Sequence, residues 1–181
     1  MTRQARARSG LLVAVVSAAA LVASVVFASS AMAHQPVNLG ADDSTPATGP
    51  LLVDGTVSFA VNAPLNARGQ TRGFRVGFKK GQSLQVQLLI KDVPPANGLA
   101  TSALPQVTVT DPRGRTSVMP LTERTPFYEP YSGTNYLYLA RLEQPAIAGT
   151  YQVSVLSRST QPVTAVVGVG FREVPGKVID R

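Results

Sequence analysis

The sequence has no cysteine and no tryptophan, and its one histidine is His34. Without cysteine there is no thiol nucleophile, no zinc–thiolate site, no iron–sulfur cluster and no disulfide framework. A single histidine excludes nearly all acid–base chemistry that needs paired imidazoles. Charge is also sparse, at 15% of residues, and no amphipathic helical pattern follows the first thirty-three residues. What the chain does have is turn-forming residues. Fifteen Gly and fourteen Pro in 181 residues exceed the average share of roughly 12% for the pair, which argues against a helical bundle. The length fits one domain with a substantial core.

Residues 1–33 read as an export signal. Arg3, Arg6 and Arg8 precede a mostly apolar stretch from Leu11 to Phe27, and small residues follow, ending in Ala31-Met32-Ala33. A positive end, an apolar stretch and an A-x-A site form the secretory plan, with cleavage after Ala33 and His34 as the mature terminus. The competing expectation is an uncleaved anchor, since 11–33 approaches the ~20 residues a span requires. Cleavage leaves no further membrane span and predicts a secreted, periplasmic or cell-envelope protein. It also removes three arginines, leaving 14 basic against 10 acidic residues, a formal +4 rather than +7. Nucleic acid is therefore not an expected partner.

Residues 34–50 contain three Pro and two Gly with no sustained period and are expected to form a flexible polar tail. From Leu51 the pattern alternates. Val57, Phe59 and Val61 lie on one side of their run. Phe74, Val76 and Phe78 alternate with Arg75, Gly77 and Lys79, and Leu84, Val86 and Leu88 with Gln85 and Gln87. Val107 and Val109, Leu137 and Leu139, and Tyr151, Val153 and Val155 repeat the pattern, and a Val-rich run covers 163–173. Period two sets one row of side chains against a core and the other toward water, as in antiparallel sheets. Turn chemistry separates the runs at 79–83, 94–98, 111–114 and 146–150. About eight short strands with no helix between them predict an all-β antiparallel sandwich, jelly-roll-like, over 51–175, with 176–181 as a C-terminal tail.

Three stretches occur in a recognisable order. Phe74, Val76, Gly81, Leu84, Val86 and Leu88 come first, then VTVTDPRG at 107–114, then AGTYQVSV at 148–155. This order resembles the bacterial pre-peptidase C-terminal domain, a small β-sandwich often attached to secreted proteases and other exported enzymes. The resemblance covers about residues 50–173 and implies an accessory or adhesive module, here acting without a peptidase on the same chain. Members often carry acidic residues ahead of the first of these strands. In this chain that stretch reads NARGQTR, so the resemblance brings no calcium site to this position.

The chemistry-bearing residues are few. His34 as a processed terminus invites comparison with copper sites built on an amino-terminal histidine, but those need a second histidine, and copper(II) prefers several nitrogen ligands. The expected reading is a histidine in a tail, with no metal and no cofactor. A Ser-His-Asp arrangement would have to draw on the same His34, and residues 34–181 contain no G-x-S-x-G or S-x-x-K. They also lack a phosphate-binding glycine loop. Asp42 and Asp43 fall short of the six to eight oxygens calcium takes. Paired carboxylates for glycoside hydrolysis would come from Asp54, Asp92, Asp111, Glu123, Glu129 and Glu143. Asp54 and Asp111 read as turn residues, and only Glu123 and Glu129 lie in a long polar segment with aromatics.

Two surface features remain. Residues 126–138 hold Phe127 and four of the five tyrosines: Tyr128, Tyr131, Tyr136 and Tyr138. If Leu137 and Leu139 are core, Tyr136 and Tyr138 line an outer sheet face, where rings with hydroxyls suit sugar stacking or protein contact. The competing expectation is that the loop folds back and its rings cover the end of the sandwich. The absence of tryptophan weighs against a flat sugar platform. The second feature is a basic stripe, Arg68, Arg72, Arg75, Lys79, Lys80 and Lys91, with no acid among those 24 residues. It suits anionic wall polymers or phospholipid headgroups or, alternatively, protects an edge strand. The expectation is a non-catalytic exported module that contacts a protein or cell-envelope polymer. Its alternatives are a small hydrolase-type enzyme or accessory using Glu123 and Glu129, and a self-associating structural protein of the envelope.

Overall fold

A computed structural model describes residues 34–180. The expected signal segment, residues 1–33, lies outside the described residues. The described chain is a β-sandwich of two six-stranded sheets. One sheet contains β1 (Gln35–Asn38), β3 (Phe59–Leu65), β11 (Val163–Val169), β5 (Ser83–Lys91), β9 (Thr134–Pro145) and β8 (Thr125–Glu129), in that spatial order. The other contains β12 (Val178–Ile179), β2 (Leu51–Leu52), β4 (Thr71–Phe78), β10 (Gly149–Leu156), β6 (Gln106–Thr110) and β7 (Thr116–Val118). Every alternating run read from the sequence is one of the long strands. The additional strands are short ones at or next to the sheet edges, where one or two side chains suffice to anchor a segment that borrows its ladder from a neighbour.

The core fills the space between the sheets. Phe59, Val61, Leu84, Val86, Leu88, Leu139 and Val167 enter from one side, and Phe74, Val76, Val107 and Val153 from the other, all fully buried. Phe78 meets Tyr151 edge to face at 5.4 Å, and the Tyr151 hydroxyl accepts a hydrogen bond from Ile147 N at 3.0 Å. The Asp111-Pro112-Arg113-Gly114 turn closes with Gly114 N donating to Asp111 O at 2.9 Å, and Gly114 has φ +82°, as such a turn requires. A Cβ on Gly149 would lie 2.7 Å from Pro112 Cβ. The two stretches singled out by sequence order thus meet in space.

Two boundary expectations are corrected. Residues 34–50 are not a flexible tail. Gln35–Asn38 pairs in parallel with Phe59–Asn62, Val37 and Leu39 are buried, and residues 41–50 lie against the outer side of β4. Period analysis misses β1 because QPVN has a single inward side chain, while its one proline, Pro36, suits an edge. The C-terminal residues are likewise part of the fold, since Val178 and Ile179 pair with Leu52 and Leu51.

Candidate functional site

The outer face of the β1–β8 sheet carries a groove. Its floor comes from outward side chains of three central strands: Ala60 and Asn62 on β3, Val166 and Gly168 on β11, and Gln85, Gln87 and Leu89 on β5. Registers align these residues into rows. Ala60, Gly168 and Gln87 lie side by side, as do Asn62, Val166, Leu89 and Tyr138. One wall is the β8–β9 hairpin, with Phe127, Glu129, Tyr131, Ser132, Tyr136 and Tyr138. The other is His34 with β1 and the segment after β11, contributing His34, Pro36 and Phe171. This depression holds about 450 Å³. A second, of about 480 Å³, shares Asn62, Ser132 and Tyr136 with it and continues past Asn38, Pro64, Thr164 and Lys91.

A bulge shapes the aromatic wall. Leu89 pairs with Tyr138 but Leu88 pairs with Ala140, so Leu139 is an extra residue in β9. The insertion reverses the parity of the strand. Leu137 and Leu139 point inward before it, Ala140 and Leu142 after it. Arg141 therefore faces outward on the same side as Tyr138, and its guanidinium sits 4.0 Å from the Tyr138 ring centroid. Arg141 also pairs with Glu123 at 3.4 Å. Phe127 lies opposite Tyr136 and packs against Tyr138 with centroids 5.3 Å apart. Burial pushes the Tyr138 phenol above its ordinary value, with Glu123 adding to the effect and Arg141 opposing it, so it stays a neutral hydroxyl.

The hairpin tip is held by Glu129, whose carboxylate accepts from Tyr131 N at 2.9 Å and Ser132 N at 2.7 Å. The Ser132 side chain is the main cause holding this carboxyl below the ordinary 4.5. The two backbone donors and the His34 imidazole act in the same direction, and partial burial opposes them. A folded-state value below the unfolded one means this support is present at neutral pH and is lost as pH falls through the depressed value. Protection of the Tyr131 and Ser132 amides, relative to the intrinsic exchange rate at each pH, is therefore expected to fall in acid below the normal glutamate range. Glu129→Gln should abolish that pH step; a step that persists assigns it to another group.

The predicted aromatics divide. Phe127, Tyr131, Tyr136 and Tyr138 line the groove, rather than covering the end of the sandwich. Tyr128 pairs with Asn135, lies on the other side of the hairpin, and is 57% exposed outside the groove. The basic stripe is dispersed. Arg72 has the same parity as Phe74, so it turns inward, is 4% exposed and donates to Thr71 O at 2.7 Å; as a surface contact residue it is corrected. Arg75 is half-buried under residues 49–50 and donates to Gly49 O at 3.1 Å. Lys79 and Lys80 are exposed at the β4–β5 turn, at the opposite end of the sandwich from Arg68 and Lys91. No single charged face results.

The acids proposed for chemistry have local work. Asp54 accepts from Thr56 N and Oγ1, Asp92 from Asn97, Asp111 from Arg113 and Arg115, and Glu143 from Gln85. Glu123 pairs with Arg141 outside the groove, whereas Glu129 lines it, so the pair does not share a cavity. Among the described residues no group of three His, Asp or Glu side chains is placed to hold a metal, and no helix is long and apolar enough to cross a membrane.

Sequence reasoning missed His34, Asn62, Gln87, Gly168 and Phe171 as groove residues. They come from distant parts of the chain, and only the outward position of Gln85 and Gln87 was visible as alternation.

No family model matches the sequence, and no curated protein matches it. Part of a Bacillus licheniformis lipase in its propeptide form is similar in structure at 14% identity and a TM-score of 0.38, over 63% of this chain and 22% of that one. A family GH115 4-O-methyl-α-glucuronidase with specificity for decorated arabinogalactans matches at 16% identity and a TM-score of 0.36, over 65% of this chain and 14% of that one. An insecticidal crystal protein, Cry2Aa, matches at 9% identity and a TM-score of 0.34, over 62% and 18% respectively. This chain thus spans less than a quarter of each of these proteins.

Proposed function

We propose that the protein is an exported, non-catalytic binding module that holds a protein segment or cell-envelope polymer in the groove on its outer sheet face. The observation that carries this reading is the convergence of five aromatic rings, those of Phe127, Tyr131, Tyr136, Tyr138 and Phe171, and three carboxamide side chains on one open cavity. Core packing does not require it, because the hydrophobic core on the other side of the same sheet is already filled. The likeness of residues 50–173 to the pre-peptidase C-terminal domain supports an accessory role, and the signal-like residues 1–33 support export. The basic residues contribute little to this reading, being spread over both ends of the sandwich.

The hairpin provides an internal control. Tyr131→Ala removes an exposed ring from the groove, while Tyr128→Ala removes one of similar exposure from the opposite side. Retention on cell-envelope fractions should fall about tenfold or more for Tyr131→Ala, the size expected when one well-placed ring is truncated, and should be unchanged for Tyr128→Ala. Equal retention of both variants would remove the groove from consideration.

A further inference from the structure

We infer that the groove takes a neutral polysaccharide chain of the cell envelope, laid along the strands; this rests on the reading of the groove as the binding site.

Charge is the first argument. Among the described residues no Lys or Arg lines the first depression, and only Lys91 lines the second. The one carboxylate, Glu129, already accepts two backbone N–H groups. Arg141, beside the wall, is engaged by Glu123 and the Tyr138 ring. Apart from the α-amine that cleavage after Ala33 leaves on His34, the groove is nearly free of available charge and has little to attract a teichoic-type polymer, a phospholipid headgroup or a charged peptide.

Hydrogen-bonding chemistry is the second. The Gln87 carboxamide and the hydroxyls of Tyr131, Tyr136 and Tyr138 have no hydrogen-bond partner within the described residues. A carboxamide offers donors and an acceptor together, and a phenol offers one of each. Sugar hydroxyls also donate and accept, so they satisfy both halves of each group. The carbonyls of an extended proline-rich segment only accept, and would leave the Gln87 oxygen unanswered. Backbone pairing offers no alternative, since the groove lies on a sheet face whose ladders are complete across β3, β11, β5 and β9.

Shape is the third. The apolar floor of Ala60, Val166, Gly168 and Leu89 beside Phe127 and the tyrosines suits the C–H faces of sugar rings. From Gln85 to Lys91 the two depressions follow β5 for about 20 Å, at roughly 3.3 Å per residue. That length fits several units of a polymer better than a single sugar. Gly168 sets the depth. A Cβ there would meet Gln87 and Leu89 at 3.5–3.9 Å, ordinary contact distances, so a larger side chain fits the strand and rises into the groove.

The test uses the protein purified from an expressing culture, on envelope fractions prepared in three ways. Retention should survive protease digestion of the fraction. It should be competed by neutral oligosaccharides released from the same fraction by partial acid hydrolysis. Gln87→Ala should weaken it about tenfold, and Gly168→Val should abolish it with an unchanged thermal unfolding curve. Loss of retention after protease digestion would overturn the polysaccharide inference. So would elution by high salt in place of neutral oligosaccharides. If the groove variants still fail to bind in either case, the groove itself stands as the site. Wild-type protein that is never retained, or Gly168→Val and Tyr131→Ala proteins retained like wild type, would overturn both.

Discussion

Phe74→Ala is expected to lower the free energy of unfolding by about 3–5 kcal/mol, the usual range for deleting a fully buried aromatic ring. Phe74 sits in a central strand, opposite Val153 of β10, with no exposed surface. The neighbours that would have to collapse into the space are held by ladders on both sides of β4, so the cavity persists. A domain of this size has roughly 5–15 kcal/mol in total, so the variant should unfold at far lower urea concentration, with an unchanged slope. Phe171→Ala is the matched comparison, because that ring is 51% exposed and its loss should stay within about 0.5 kcal/mol. Similar midpoints for the two variants would mean that Phe74 is not packed as described.

Gly73→Ala is expected to cost about 4–6 kcal/mol, by a different route. A Cβ at this position would lie 2.6 Å from Pro46 Cδ and closer still to Thr45 C and Pro46 N. These are backbone and ring atoms, which cannot swing aside. The methyl group would lift residues 43–50 from β4 and break their attachments: Gly73 N to Asp43 O at 2.8 Å, Thr71 Oγ1 to Ser44 O at 2.7 Å and Arg75 N to Pro50 O at 2.8 Å. Overpacking of this kind costs about 1–3 kcal/mol, and each lost hydrogen bond about 1 kcal/mol more. Limited proteolysis should cut the variant within 41–50 under conditions that leave the parent chain intact. A variant as resistant as the parent would show that the segment is not held there.

The groove was only partly legible in the sequence. Outward placement of Tyr136 and Tyr138 followed from the inward placement of Leu137 and Leu139. Tyr128 was grouped with them because it is near in sequence, although strand parity puts it on the other side of the hairpin. Parity also contained the signal for Arg72, two residues before Phe74 and hence inward, but counting charge along the chain hid it. The bulge at Leu139 was not readable, because alternation before and after it is regular and only the pairing with β5 reveals the inserted residue.

Period two, turn residues at four places and the absence of cysteine were sufficient to determine an all-β sandwich held together by apolar packing. These are local properties, fixed by the chemistry of a few consecutive residues. The course of residues 34–50, the dispersal of the basic stripe and the meeting of His34, Asn62, Gln87, Gly168 and Tyr138 were decided by the tertiary structure. Which strands become neighbours depends on the fit of the whole core and on pairings between distant segments. A surface drawn from six strands and the segments beside them has no period of its own.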